Sequence, residues 1–155
     1  MKRMRRITLF LVLGVAAFTT AGALLFYFDY WKYRQQLASL EWVDAASPAD
    51  IREASHRVLS WPLGDTHDAP LYLSEVGNIE SVPILIRAMR WHVALGVDVQ
   101  SCEVLGIEPA LQSLTGFKGD HDYRKWEAWW SSVGSSLPPE HFHGRRLGVG
   151  ASKSR

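Results

Sequence analysis

Residues 73–89 read LSEVGNIESVPILIRAM, and this stretch indicates the fold class of the chain. Its second half repeats apolar residues at i, i+3, i+4 and i+7, the spacing that places them on one face of a helix. These residues are Val82, Leu85, Ile86 and Met89. Pro83 fits only the first turn of such a helix, because deeper inside it would remove a backbone hydrogen bond. We therefore predict a helix that begins close to Ser81, with Asn78 or Ser81 as its cap.

Two further helices are predicted upstream of this segment. Ser47 suits an N-cap, Pro48 suits the first helical position and Asp50 suits the positive end of the helix dipole, which predicts a helix over residues 48–60. Asp68 is predicted to cap a short helix that runs through Val76. The Gly77-Asn78 pair is then expected to end this helix in the left-handed conformation.

The patterns downstream also predict helices. An apolar series between residues 104 and 114 indicates a helix ended by Gly116, and Asp120 or Asp122 can cap a last helix over residues 123–133. Three tryptophans in that helix are expected to anchor the end of the domain, because each indole buries a large area. They are Trp126, Trp129 and Trp130. No alternating run bounded by hairpin turns predicts a strand, so the expected fold class is all-α.

Two stretches of the chain resemble the HEAT repeat family, over roughly residues 68–133. In residues 73–89 one helix ends at a Gly-Asn pair, and the next begins at a Val-Pro pair and carries a leucine-rich face. Residues 110–116 (ALQSLTG) and 126–130 (WEAWW) resemble a terminal element of bacterial HEAT-like proteins. The resemblance implies an α-solenoid whose exposed face binds other proteins, and it implies no catalytic residues.

The length of the chain departs from that pattern. Stacked repeats usually need three or more units to bury a continuous core, and the 106 residues from 29 to 134 hold about two repeats. We predict a HEAT-like domain of about two helical pairs over residues 47–134. Such a domain is either held together by its tryptophans or completed by a partner or the membrane surface.

An N-terminal membrane anchor is predicted from residues 7–28 (ITLFLVLGVAAFTTAGALLFYF), which contain no charged residue. About 20 such residues form a helix that spans the hydrocarbon core. The alternative is a cleaved signal peptide, with Ala21-Gly22-Ala23 as the cleavage site. We favour an uncleaved anchor, because the apolar run continues to Phe28 and is longer than a typical cleavable segment.

The basic residues predict the orientation of this anchor. Lys2, Arg3, Arg5 and Arg6 precede the apolar run, whereas Lys32 and Arg34 alone follow closely. The positive-inside rule therefore predicts that residues 1–28 consist of a short cytoplasmic segment followed by the membrane anchor. It places the rest of the chain outside the cytoplasm.

A juxtamembrane helix is predicted over residues 29–46. Its apolar stripe has 3–4–3 spacing and consists of Tyr30, Tyr33, Leu37 and Leu40. Small residues recur four apart within the anchor, at Ala17 and Ala21 and at Thr19 and Ala23, a spacing that lets two helices approach closely. A homodimer is therefore one possibility that the sequence leaves open.

The charge is unevenly distributed along the chain. Residues 29–134 carry nine Lys/Arg and fifteen Asp/Glu, a net charge of −6, whereas residues 135–155 carry four Lys/Arg and one Glu, a net charge of +3. Because nucleic-acid binding requires a basic face, the acidic domain argues against that function. Residues 135–155 are rich in Ser, Gly and Pro and are predicted to be a disordered basic tail.

The sequence contains none of the common motifs for catalysis or metal binding. His141 and His143, with His121, Asp120 or Asp122, are the best candidates for a zinc or copper site, but we interpret the His pair as part of the tail. His56 and His92 are interpreted as helix residues rather than bases, and Asp120 and Asp122 as caps rather than an acid–base pair. Cys102 is interpreted as a small buried residue, and residues 148–154 resemble a phosphate loop too faintly to assign.

The function expected from the sequence is a single-pass membrane-anchored helical module that binds a protein partner, without enzymatic activity or cofactor. The helices at 81–90 and 48–60 are its expected scaffold. Two alternatives are a structural subunit that self-associates through its anchor helix and a His/Asp metal-binding protein.

Overall fold

The helices account for all regular structure in the computed structural model, which describes residues 2–62, 64, 67–96, 106–142 and 144, without the side chains of residues 2–11, 13, 25 and 26. No strand occurs within these ranges, which confirms the all-α prediction. The α-helices are α1 (Lys2–Ala38), α2 (Leu40–Ala45), α3 (Pro48–Leu59), α4 (Asp68–Val76), α5 (Ser81–Ala94), α6 (Ile107–Thr115) and α7 (Tyr123–Ser132). Two 3-10 turns follow, at Gly134–Ser136 and Pro139–His141.

The chain divides into two compact units, Met1–Lys32 and Tyr33–Arg155. The first unit consists of most of α1, and every residue in it whose burial is described, from Val12 to Asp29, is exposed. Among the residues with described side chains, no helix reaches the length and hydropathy that crossing a membrane requires.

The prediction of one continuous helix over residues 29–46 is wrong at Ser39. This residue is extended, with φ −95° and ψ 107°, and its hydroxyl accepts a hydrogen bond from the backbone N–H of Trp42 at 3.3 Å. A serine in this conformation ends α1 and caps α2. The predicted apolar stripe is interrupted as a result, because Leu37 is buried whereas Leu40 is 75% exposed.

Helix α3 begins and ends close to where the sequence predicts. The Ser47 hydroxyl accepts from the backbone N–H of Asp50, and the Asp50 carboxylate accepts from the backbone N–H of Ser47, both at 3.2 Å. This reciprocal capping box satisfies two donors that the first turn of a helix leaves unpaired.

The link between α4 and α5 differs from the expected left-handed end. Gly77 has φ −68° and ψ 167°, an extended conformation that any residue adopts. Glycine is required there for a different reason: a Cβ would collide with the carbonyl of Leu73 and lie 3.0 Å from a methyl of Leu114. The glycine therefore lets α6 approach the end of α4. Helix α5 begins at Ser81, as predicted.

The second unit has its core between two layers of helices. Helix α3 packs against α4 and α5, helix α6 packs against the same two helices, and α7 packs against α5. Each helix turns its apolar stripe toward this core. The largest of the fully buried aliphatic and sulfur-containing side chains are Val58, Leu59, Leu73, Val82, Leu85, Met89, Ile107, Leu111 and Leu114.

An aromatic cluster covers the C-terminal end of this core. Gly116 ends α6 in the left-handed conformation, with φ 69°, and Asp122 caps α7 by accepting from the backbone N–H of Arg124 at 2.9 Å. The chain between them brings Phe117 onto α7, where its ring stacks on Trp129 and meets Trp126 edge-on. Trp126 is fully buried, which agrees with the expected anchoring role.

The prediction of a disordered tail from residue 135 is wrong for residues 135–142. The 3-10 turns at Gly134–Ser136 and Pro139–His141 lead to Phe142, whose ring is 1% exposed and meets Trp130 at 5.8 Å between centroids. The sequence pattern did not predict this ordered segment, residues 135–142, which we call the strap. A single aromatic residue anchors the strap, and its apolar residues have no periodic spacing. Residues 145–155 lie outside the described part of the chain.

We expect Phe142→Ala to lower the free energy of unfolding by about 3 kcal/mol, because it removes a buried ring and leaves a cavity beside Trp130. Urea unfolding of the full-length protein in detergent, followed by tryptophan fluorescence, measures the change.

Ser135→Ala is the matched control, since Ser135 is exposed seven residues earlier in the same strap. If Phe142→Ala and Ser135→Ala unfold at the same urea concentration, the strap is not part of the core.

Candidate protein-interaction surface

A groove between α4 and α6 forms a concave surface with a volume of about 510 Å³. On α4 it is lined by Leu71, Ser74 and Glu75, which stand at i, i+3 and i+4 and therefore share one face of the helix. The core-facing residues of α4 lie on its other face. They are Ala69, Pro70 and Leu73.

The wall formed by α6 follows the same rule. Pro109, Gln112 and Ser113 stand at i, i+3 and i+4, and Gly116 and Lys118 follow at the end of the helix. The Ser113 hydroxyl donates to the carbonyl of Ser74 at 3.1 Å, which ties the two walls together at the floor of the groove.

The groove combines an exposed apolar side chain with a partly desolvated carboxyl. Leu71 is 57% exposed, so its apolar side chain is accessible from the groove. Glu75 is half-buried, and this burial raises the pKa of its carboxyl above the ordinary value. The surface therefore offers both an apolar contact and an acidic group to a bound chain.

A polar junction fixes the positions of α3, α4 and α5 behind this groove. The guanidinium of Arg52 on α3 donates to the carbonyl of Val76 at 3.1 Å and so satisfies an unpaired group at the end of α4. His56, one turn later, places Nε2 2.8 Å from the hydroxyl of the fully buried Ser81. Ser81 also accepts from the backbone N–H of Asn78 at 3.1 Å.

A serine beside a histidine is a common nucleophile–base arrangement, but here the hydroxyl is inaccessible to a substrate. The pKa of His56 is lowered from 6.5 to about 4, mainly by burial and also by the nearby charge of Arg52, against a smaller opposing effect of Glu80. His56 is therefore uncharged at neutral pH and connects α3 with α5 through its contact with Ser81.

A second cleft of about 350 Å³ lies between α5 and α7. The guanidinium of Arg90 reaches across it and donates to the carboxylate of Glu127 at 3.2 Å. Because this ion pair connects the two walls directly, the cleft is less suited to a bound chain than the groove between α4 and α6.

The candidate metal ligands have other partners in the structure. Nε2 of His141 lies 3.2 Å from the carbonyl of Thr115, and His121 lies against the carboxylate of Glu108. No group of three His, Cys, Asp or Glu side chains with metal-binding geometry occurs in the described ranges, which do not include His143.

The remaining candidates have structural partners. His92 is buried, with Nδ1 2.8 Å from the carbonyl of Ala88, and Asp122 caps α7. Asp120 holds the chain in the left-handed conformation, with φ 53°, and its carbonyl accepts from the Trp126 indole at 2.8 Å. Its carboxylate receives a hydrogen bond from Lys125 at 2.7 Å, and this bond holds the pKa of Asp120 below its usual value. Cys102 and residues 148–154 lie outside the described part of the chain.

Sequence reasoning missed the contact between Glu108 and His121. The two residues stand thirteen positions apart, and they meet because the segment after Gly116 folds back along α6. Nδ1 of His121 lies against one carboxylate oxygen of Glu108, and the other oxygen accepts from the amide of Gln112 at 2.6 Å. No local pattern signals this pairing, since it depends on the fold-back.

Comparison with known proteins adds no family to these observations. No family model matches the chain, and no curated protein or solved structure matches it.

We expect the free energy of unfolding to fall as the pH decreases from 6.5 toward 4, in part because of His56. Its pKa is lowered in the folded protein, so the unfolded chain takes up a proton at this residue first and is favoured by acid. The contribution of uncharged His56 to the free energy of unfolding is fully present above pH 6.5. Urea unfolding at a series of pH values should show a shallower decline for His56→Gln, which has no group that titrates.

His67→Gln is the comparison variant, because His67 is exposed at the start of α4, away from the junction. An equal pH dependence in wild type and His56→Gln would contradict the role given to His56.

Proposed function

We propose that this protein is a single-pass membrane-anchored helical module that binds a protein partner through the groove between α4 and α6. The observation that carries the proposal is the environment of α1. Its described residues from Val12 to Asp29 are all exposed, and they include Phe18, which is 82% exposed. A helix that is apolar on every side requires an apolar surrounding, such as lipid, to be stable.

The polar groups of this helix are consistent with an anchor over residues 7–28. The hydroxyls of Thr19 and Thr20 donate to the carbonyl of Ala16 at 3.0 and 2.8 Å, so neither hydroxyl requires a partner outside the helix. Internal satisfaction of polar groups is the main requirement that lipid imposes. Tyr27 and Trp31 stack on each other near the end of the apolar run, where aromatic rings suit the headgroup region.

The orientation follows from the excess of basic residues before the anchor. The proposed arrangement places the N-terminus in the cytoplasm and the acidic helical unit outside it.

The arrangement of helices supports the HEAT-like interpretation. The pairs α3/α4 and α5/α6 each pack internally, and α3 packs on α5 while α4 packs on α6. Two stacked helical hairpins produce this set of neighbours. In such a stack α4 and α6 form one shared surface, and the groove lies on it. Protein binding on the exposed face of stacked repeats is the function that the resemblance implies.

We expect the full-length protein to remain in the membrane pellet after an alkaline carbonate wash. Val15→Asp combined with Phe18→Asp should release it, because each charge near the middle of the apolar run costs about 3 kcal/mol in the bilayer. Leu40→Asp is the control, since Leu40 is an exposed leucine outside the anchor.

A reporter that is active only outside the cytoplasm, fused after Arg155, tests the orientation. Activity supports the proposed topology, whereas inactivity together with membrane retention would reverse it. Wild-type protein that is released by the wash would rule out the anchor.

We expect a photo-crosslinker placed at Leu71 in native membranes to capture one protein in near-stoichiometric amount. The same probe at Ala128, which is exposed on α7, should capture it poorly. Glu75→Lys should reduce capture at Leu71, because it reverses the charge of the groove. Mass spectrometry of the adducts identifies what was captured.

Adducts of the protein with itself alone would favour a self-associating subunit. Loss of those adducts in Ala17→Leu/Ala21→Leu would assign the association to the anchor.

A further inference from the structure

The described chain ends at one end of the groove. The backbone N–H of Gly144 donates to the carbonyl of Gly77 at 3.4 Å, beside the end of α4. A Cβ at residue 144 would collide with the backbone of Glu75, a residue that lines the groove. The close approach therefore places Gly144, the last described residue, beside the end of α4 that borders the groove.

The electrostatics at this point favour a basic chain. Ser74 bonds to Ser113 and Gly77 lies against Leu114, so the C-terminal ends of α4 and α6 are side by side. Each end carries a partial negative charge from the helix dipole, and Glu75 adds a carboxyl to the lining of the groove. Residues 145–155 carry four basic residues, Arg145, Arg146, Lys153 and Arg155, and no acidic residue. Lys118 is the one cation that lines the groove and opposes this attraction.

The length of the remaining segment is sufficient to cover the groove. Helix α4 has nine residues and is about 13 Å long, whereas an extended chain advances about 3.3 Å per residue. Residues 145–150 (RRLGVG) therefore reach beyond the far end of α4 if they run along it. The segment also supplies apolar side chains, Leu147 and Val149, to meet the exposed Leu71.

We propose that residues 145–150 dock into the groove between α4 and α6 of the same chain, with Arg145 and Arg146 beside Glu75. The segment then competes with any partner for this surface. That competition rests on the proposed function. The docking itself depends only on the groove, on the place where the strap ends, and on the opposite charges of Glu75 and the two arginines.

Disulfide trapping in the full-length protein, purified in detergent without a partner, tests the docking. In a Cys102→Ser background, Leu71→Cys combined with Leu147→Cys should form an intramolecular disulfide about tenfold faster than the control pair, because docking raises the local concentration of one thiol near the other. The control pair is Glu80→Cys with Leu147→Cys. Glu80 is exposed and follows Gly77 by three residues, so residue 147 can reach it from Gly144 about as easily as it can reach Leu71. Glu80 does not line the groove.

Charge changes should alter the trapping rate in opposite directions. Glu75→Gln and the double change Arg145→Gln/Arg146→Gln should slow it, and Lys118→Gln should speed it. Equal rates for the two cysteine pairs, or disulfides only between two molecules, would overturn the proposal. A photo-crosslinker at Leu147 in the otherwise unaltered chain provides a second measurement if the cysteine variants fold poorly, and adducts outside α4 and α6 would contradict docking.

Truncation after Gly144 separates this proposal from the proposed function. If both hold, the truncated protein captures its partner at Leu71 more efficiently than the full chain. Fast disulfide formation between positions 71 and 147, without any captured partner, would support the docking and contradict the proposed interaction module. Capture that truncation does not change, together with no trapping, would contradict the docking alone.

Discussion

The packing of aromatic rings against the end of the helical stack is the interaction on which the second unit depends. The two packed helical hairpins expose an apolar surface at their end, and this surface needs a cover in water. Here α7 and the strap after it supply the cover. Trp126 fills the end of the core, Phe117 stacks on Trp129, and Phe142 returns from the strap to meet Trp130.

Two glycines make this aromatic cover possible. A Cβ at Gly119 would lie 2.6 Å from the Trp126 indole, and a Cβ at Gly134 would lie 2.7 Å from the ring of Trp129. The backbone can approach the flat faces of the indoles only where no side chain intervenes. The position of the strap then determines where the chain meets the groove, which connects the stability of the unit with the proposed docking of residues 145–150.

The polar junction explains why the groove has a fixed shape. Arg52 and His56 stand one turn apart on α3, and together they hold the end of α4 and the start of α5. A neutral histidine suits this place, because a buried charge would need a compensating partner. His56 and Ser81, which resemble a nucleophile–base pair in isolation, therefore position the helices beside the groove.

The sequence by itself determined the helical class, most helix boundaries and the caps at Ser47, Gly116 and Asp122, because these depend on neighbours within a few residues. The caps predicted for α4 at Asp68 and for α5 at Asn78 or Ser81 were wrong, since the N-caps there are His67 and Glu80. The capping box at Ser47, the start of α5 at Ser81 and the left-handed Gly116 are all local features. The tertiary structure alone decided the pairing of Glu108 with His121 and the burial of Phe142. Each of these depends on where the chain goes after a turn, and apolar periodicity carries no information about that direction. The groove is likewise a tertiary feature, because its two walls come from helices separated by about thirty residues of chain that must first fold back.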